Sequence, residues 1–202
     1  MGEIGLFPLG VVLLPGERIP LHIFEPRYKE LIGECLELGV PFGLVLADES
    51  GMREVGTEAS VVDVLRRFED GRLDVVVEGR ERFRLVEPTD GRSFATAEIE
   101  ELPDEADAPA AEQIERCLAA YRRLVTEANA EPTDFAPDAD LAYVIGAHVG
   151  FGAEAKQSIL ELRSERARIV RVAELLEAAS GHIRQEREIR DRAATNGRVE
   201  RP

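Results

Sequence analysis

In the first half of the chain apolar residues recur mostly at every second place and are punctuated by proline and glycine, which predicts strands. In the second half they recur three and four apart, which predicts helices. Leu6 to Leu14 reads as a strand, and Pro15-Gly16 follows with a fixed φ and then a permissive one, as a tight turn needs. Ile19 to Phe24 resumes the strand. Tyr28, Leu31, Ile32, Cys35 and Leu36 then share one face of a helix. Pro26 can open that helix, because its missing N–H would be unpaired in the first turn anyway, and Gly39 can close it. Phe42 to Ala47 and Ala59 to Phe68 are apolar runs between turn residues, hence strands. Asp70-Gly71 is a favoured two-residue hairpin turn, beyond which Leu73, Val75 and Val77 alternate with Asp74 and Glu78. Gly79 breaks the alternation before Phe83 and Leu85, the mark of a bulge or bend, and Phe94 to Leu102 is the last strand.

Ile114, Cys117, Leu118, Tyr121, Leu124 and Val125 form one helical stripe, and Leu141, Val144, Ile145, His148 and Val149 form another. A helix carrying Ile159, Leu160 and Leu162 runs to Ser164. That serine is a good N-cap for a final helix bearing Ile169, Val172, Leu175 and Leu176, which Gly181 can end. Strands followed by helices predict an α+β fold. Its expected parts are a small curved β-barrel of about six strands with one inserted helix over 1–102, an acidic linker over 103–110 and a helical bundle over 111–181. Apolar residues nearly vanish after that, so 182–202 reads as an arginine-rich tail, frayed at first and disordered from Asn196 to Pro202. No internal repeat is visible.

The 202 residues, 44% apolar and 32% charged, are those of an ordinary globular protein. The run from Leu6 to Leu14 is far shorter than the ~20 residues that cross a bilayer, and no basic segment precedes it as in a signal peptide. A cytoplasmic location is therefore expected. A net charge of -15 repels phosphate backbones and anionic lipid, which argues against nucleic acid and membrane as main partners. Cys35 and Cys117 each stand among apolar residues at helical spacing, so both are expected as buried free thiols. All but two of the 25 basic residues, Lys29 and Lys156, are arginine, a skew of a GC-rich genome that says nothing about function.

Motifs for phosphate binding, for serine and zinc hydrolases and for dinucleotides are all missing, so no cofactor or metal is expected. His148 falls in an apolar stripe and reads as a half-buried core imidazole. His22 points away from the face of Leu21 and Ile23, and His182 follows a helix stop, neither with a partner in sight. Lys156 and Ser158, two apart, point to different sides of a helix and make no Ser–Lys dyad. Asp104, Glu105 and Asp107 read as a solvated acidic linker. Glu25 reads as a helix-start carboxylate bonding to backbone N–H groups, with Arg82 or Arg84 as a candidate ion-pair partner.

The run Phe7-Pro8-Leu9-Gly10-Val11-Val12-Leu13-Leu14-Pro15-Gly16, followed by Ile19-Pro20-Leu21-His22-Ile23-Phe24-Glu25-Pro26-Arg27-Tyr28, resembles the opening of the Lon protease N-terminal substrate-binding domain. The resemblance continues in Phe42-Gly43-Leu44-Val45-Leu46, Val55-Gly56-Thr57, Asp70-Gly71-Arg72-Leu73, Val77-Glu78-Gly79 and Arg82-Phe83-Arg84-Leu85. Less specifically, it extends through Glu154 to Leu162 and Arg166 to Leu176. It implies a PUA-like barrel packed beside a helical bundle, and a free-standing member without the ATPase and Ser–Lys protease domains of full-length relatives. The function implied is a non-catalytic module that recognises exposed apolar or unfolded polypeptide segments, with a protease or chaperone complex as a further candidate partner. Leu13, Leu14, Pro15, Ile19 and Phe24 crowd around the Pro-Gly turn and are the candidate client contacts, the alternative being that all five are barrel core. Two other functions stay open: an adaptor docking on one partner, and a small-ligand binder or hydrolase at the barrel mouth. The oligomeric state stays open as well.

Overall fold

Seven strands and one inserted helix precede four further helices in the computed structural model, which describes residues 2–136 and 140–196. The first half contains β1 (Gly2–Leu9), β2 (Arg18–Ile23), α1 (Pro26–Leu38), β3 (Phe42–Asp48), β4 (Gly51–Met52), β5 (Val55–Arg67), β6 (Leu73–Thr89) and β7 (Thr96–Glu101). The second contains α2 (Ala111–Glu127), α3 (Leu141–Val149), α4 (Ala153–Leu160) and α5 (Glu165–Asn196). The sheet runs β1-β7-β6-β5-β3-β4, with β2 added to β6. β1 also pairs with β3 in parallel, so the path of pairings from β1 through β7, β6, β5 and β3 returns to its start. Every other pairing is antiparallel. β3 is buried on both faces from Phe42 to Leu46, which is why its sequence runs apolar without alternation. No helix among the described residues is long and apolar enough to cross a membrane.

Helix α1 opens on Pro26 and closes where Gly39, at φ 68°, donates its N–H to the Cys35 carbonyl. Ser164 caps α5 through a 3.2 Å bond from the Ala167 N–H to its hydroxyl. At Gly79 the β5–β6 register slips, Thr57 facing Arg82 but Ala59 facing Gly79, which is the expected bulge. A Cβ at Gly79 would stand 2.3 Å from the Leu14 carbonyl oxygen. Glycine there lets the turn Leu14–Glu17 lie directly on the sheet, held by 2.9 Å bonds from the Gly16 N–H to the Gly79 carbonyl and from the Gly79 N–H to the Glu17 carbonyl.

Five local expectations are corrected, one of them that α4 ends at Leu160, short of Ser164. β1 stops at Leu9, short of Leu14, because the chain leaves the ladder to place two successive leucines in two different cores. Leu13 packs with Phe7, Ile23, Phe42 and Val75 inside the sheet, whereas Leu14 packs with Ile145, Ile159 and Ile169 of the helices. The hairpin at Asp70-Gly71 has a three-residue loop: the Phe68 N–H bonds to the Arg72 carbonyl, the Gly71 N–H bonds back to the Phe68 carbonyl, both at 3.0 Å, and Gly71 takes φ 80°.

Gly181 does not end α5, which continues to Asn196. An interior glycine costs only about 1 kcal/mol, and the buried Ser180 and the core-packed Ile183 hold the helix on either side. Residues 197–202 of the expected tail lie outside the described residues. On α3 the buried face is Leu141, Ala142, Tyr143, Ile145 and Gly146, leaving Val144 and His148 exposed. Small residues set that face, since a Cβ on Gly146 would lie only 3.0 Å from Leu14 Cδ1.

Candidate functional site

Among the described residues two ionic ties built on buried cations join the sheet to the helices, beside the exposed pair Arg53–Glu154 at 2.7 Å. In the first, Lys156 Nζ donates to one oxygen of Glu17, and the other oxygen accepts the Leu14 N–H at 3.0 Å. Both side chains are nearly buried, at 11% and 9% exposure. Lys156 is thereby committed to the Pro-Gly turn, and Ser158 instead donates to the Ala155 carbonyl at 2.7 Å and accepts from Arg171 at 3.0 Å.

In the second tie, Arg82 donates to the carbonyls of Leu160, Leu162 and Leu102 at 2.8, 2.7 and 3.1 Å and to the Asp104 carboxylate. Arg168, fully buried, donates to both Asp104 oxygens, to Glu165 at 2.9 Å and to the Leu162 carbonyl at 3.2 Å. Burial alone would raise the Asp104 carboxyl, but the Arg168 and Arg82 guanidiniums outweigh it and hold the group below its ordinary value. At Glu165 burial prevails instead, and its carboxyl is raised despite the Ala142 N–H and Arg168.

The acidic stretch is therefore more than a solvated linker. Asp104 staples the two halves together, Asp107 meets Arg166 at 2.7 Å and Glu105 meets Arg163 at 3.7 Å. Matching arginines at 163, 166 and 168 were the available signal. Glu25 pairs with its neighbour Arg27 at 2.8 Å and makes no side-chain cap, while Arg84 pairs with Glu100 at 3.4 Å.

Beside these ties opens a groove of about 970 Å³ between sheet and helices. Its lining includes Pro15, Gly16 and Gly79 on the sheet side, Leu102 and Pro103 at and after the end of β7, Phe135 of the segment before α3, and Tyr143, Val144 and His148 of α3. Val144 is 44% exposed. The His148 ring meets Phe135 edge-on at 5.3 Å, and its Nε2 lies 3.3 Å from the Thr133 hydroxyl. Tyr143 is buried, and its hydroxyl has no hydrogen-bond partner among the described residues. At the rim Glu78 pairs with Arg18 at 2.5 Å and with Arg80 at 2.7 Å, so both signs of charge are present.

Leu13 and Leu14 are both 0% exposed, Leu13 in the sheet core and Leu14 in the helical one. Pro15 lines the groove. Ile19 is partly buried against the sheet core, and Phe24, 58% exposed, stands past the end of β2, stacked on His22 at 5.9 Å. His22 has a partner after all, the cross-strand Asp74 at 2.5 Å. Leu102, Phe135, Tyr143 and Val144 escaped the sequence reading. A large apolar residue on the face opposite Ala142 and Gly146 was the one hint, and it singled out Val144 alone. Among the described residues no group of three His, Cys, Asp or Glu side chains is placed to hold a metal ion.

Residues 3–178 match the family model described as the ATP-dependent protease La (LON) substrate-binding domain. The chain is 30% identical to the Lon protease of Escherichia coli strain K12 over 94% of its own length and 26% of that protein. It is 25% identical to Lon protease 2 of Syntrophobacter fumaroxidans over 84% of this chain and 24% of that one. It thus spans about a quarter of the length of these relatives. The crystal structure of a Lon N-terminal domain protein from Xanthomonas campestris superposes with a TM-score of 0.67 at 25% identity, covering 84% of this chain and 95% of the other. The N-terminal domain of the Mycobacterium avium complex Lon protease gives 0.65 at 19% identity over 89% and 98% of the two chains, a likeness of fold. With the family match running from β1 well into α5, and with the same fold found in solved Lon N-terminal domains, the chain belongs to the Lon substrate-binding domain family.

Proposed function

We propose that this chain is a non-catalytic module that captures exposed apolar segments of other polypeptides in the groove between sheet and helices. The observation that carries the reading is the exposed Val144 set with Phe135, Pro103 and Pro15 around one cleft beside the ion pairs of the buried Lys156 and Arg168. A preformed cleft spares the ordering cost that a flexible surface would incur on binding. Each apolar side chain buried there contributes about 1.5–3 kcal/mol, so two or three give micromolar affinity after ordering costs. Rim charges of both signs favour no single flanking sequence, which suits promiscuous capture. The closed path of strand pairings supports reading the sheet as the small PUA-like barrel that the family resemblance implies.

Val144→Asp places a carboxylate in the cleft at an exposed site, so the fold should persist. Binding of a labelled, unstructured leucine-rich peptide, followed by fluorescence anisotropy, should weaken by about tenfold or more, equivalent to ~1.4 kcal/mol. Undiminished binding by a folded Val144→Asp protein would move the capture site off this groove. Retention of one stoichiometric partner, and of no unrelated peptides, would favour an adaptor.

A further inference from the structure

A second groove, of about 650 Å³, lies on another face between the C-terminal end of α1 and the β1–β7 edge. Its apolar lining includes Ile4, Leu31, Phe94 and Ile99, and it opens past Leu38 and Val40, which are 69% and 45% exposed. Its charges are one-sided: Glu3, Glu34, Glu58 and Glu101 line it against a single cation, Arg92, which is already bonded to Glu34 and stacked on Phe94 at 4.7 Å.

Arginines meet the carboxylates along Asp104 to Asp107 and at Glu78. In this groove Arg92 meets Glu34 alone. Glu3, Glu58 and Glu101 have no cationic partner among the described residues, and Glu3 stands directly across the ladder from Glu98. Like charges directly opposite are destabilising, so the arrangement costs the isolated fold something that a bound cation would relieve. The Glu58 carboxyl is raised, by burial first and then by the nearby Glu81 and Glu101 charges.

We infer that this groove is a separate docking site for a polypeptide segment whose apolar side chains are flanked by lysine or arginine. The apolar residues bury against Leu38, Val40 and Ile4 while the cations meet Glu3, Glu58 and Glu101. The net charge of -15 steers such a segment toward the surface, and the unpaired glutamates hold it in this groove. This site is distinct from the junction groove in place and in ligand class, and it does not depend on it.

The test uses two labelled peptides of equal leucine content, one flanked by lysines and a twin flanked by glutamines. The native chain should bind the lysine peptide roughly five- to tenfold tighter at low salt, with the preference fading as salt screens it. A variant carrying Glu3→Gln, Glu58→Gln and Glu101→Gln should lose the preference. A control with the same change in charge on α2 and beyond it, Glu112→Gln, Glu115→Gln and Glu131→Gln, should keep it. Loss confined to the first triple variant separates this site from the junction groove, whose lining holds none of the three glutamates. Equal loss in both triple variants would assign the preference to the overall field and overturn the site, as would its persistence in the first. On the native protein, carbodiimide should join the peptide lysines to Glu58 or Glu101, and crosslinks mapping only to other carboxylates would overturn the site whatever the variants do.

Discussion

Arg168 lies 4.4 Å over the ring of Tyr143 while its two terminal nitrogens both reach the carboxylate of Asp104. One side chain therefore ties α5 to α3 and to the segment that follows the last strand. Burial alone would weaken the guanidinium's hold on its proton, but Asp104, Tyr143 and Glu165 more than reverse this. Arg168→Ala should cost about 3–5 kcal/mol, since it strands the buried Glu165 carboxylate and leaves a cavity beside Tyr143. Arg168→Lys should recover only part of this, because an ammonium cannot make the two-point contact or the stack. Thermal melts of the two variants check both statements, and a melt for Arg168→Ala close to that of the native chain would refute them.

The Asp104 carboxyl is held below its ordinary value in the folded chain, so its contribution to stability is complete above the unfolded-state pKa of about 3.9 and is lost as pH falls through the lower folded value. The raised Glu165 works the other way, opposing folding once pH exceeds the ordinary carboxylate range. Asp104→Asn should therefore lower stability near neutral pH, and the gap from the native chain should narrow steadily in acid. Denaturant midpoints measured from neutral pH to below pH ~4 follow it. A gap that widened in acid would contradict the assignment.

Gly79→Ala tests the seat of the Pro-Gly turn. The added methyl would stand 2.3 Å from the Leu14 carbonyl oxygen, a backbone atom that cannot swing aside. A cost of about 1–3 kcal/mol or more is expected, as for other overpacked sites. Gly33→Ala, where a Cβ meets nothing within 4 Å on an α1 position, should be neutral or slightly stabilising. Equal melts for both variants would contradict the close packing at Gly79.

Much of this fold was legible because single residue types sit where only they fit. Pro26 and Gly39 bracket α1, Ser164 caps α5, and Gly79 marks the bulge. The site was less legible because the pattern of apolar residues reports burial but not which of two cores receives each side chain. Leu13 and Leu14 look alike in sequence, yet one faces the sheet interior and the other the helices. The acidic segment misled for a related reason. Its arginine partners, Arg82 and Arg168, lie 22 and 64 positions from Asp104, beyond the reach of local spacing.

Cys35 and Cys117 are buried at 6% and 0% exposure. Burial, helped by Glu34, pushes the Cys35 thiol up to about 11, and burial, helped by Glu165, pushes Cys117 up to about 12. Few thiolates exist at neutral pH, and burial leaves a reagent little of either sulfur to meet. Ellman's reagent should therefore react slowly with the native protein and with both thiols at once in guanidinium. A fast native phase would show one thiol to be accessible.

Where a captured apolar segment lies is tested most directly by photocrosslinking. A benzophenone-bearing phenylalanine analogue replaces Val144 in the groove, and in a second protein it replaces Leu65 on β5, outside the groove, at 44% and 57% exposure respectively. Each is irradiated with the same labelled, uncharged leucine-rich peptide. Capture in the junction groove predicts strong labelling through position 144 that excess unlabelled peptide suppresses, with little through position 65. Equal labelling at the two positions, or labelling through 65 alone, would contradict capture in the groove.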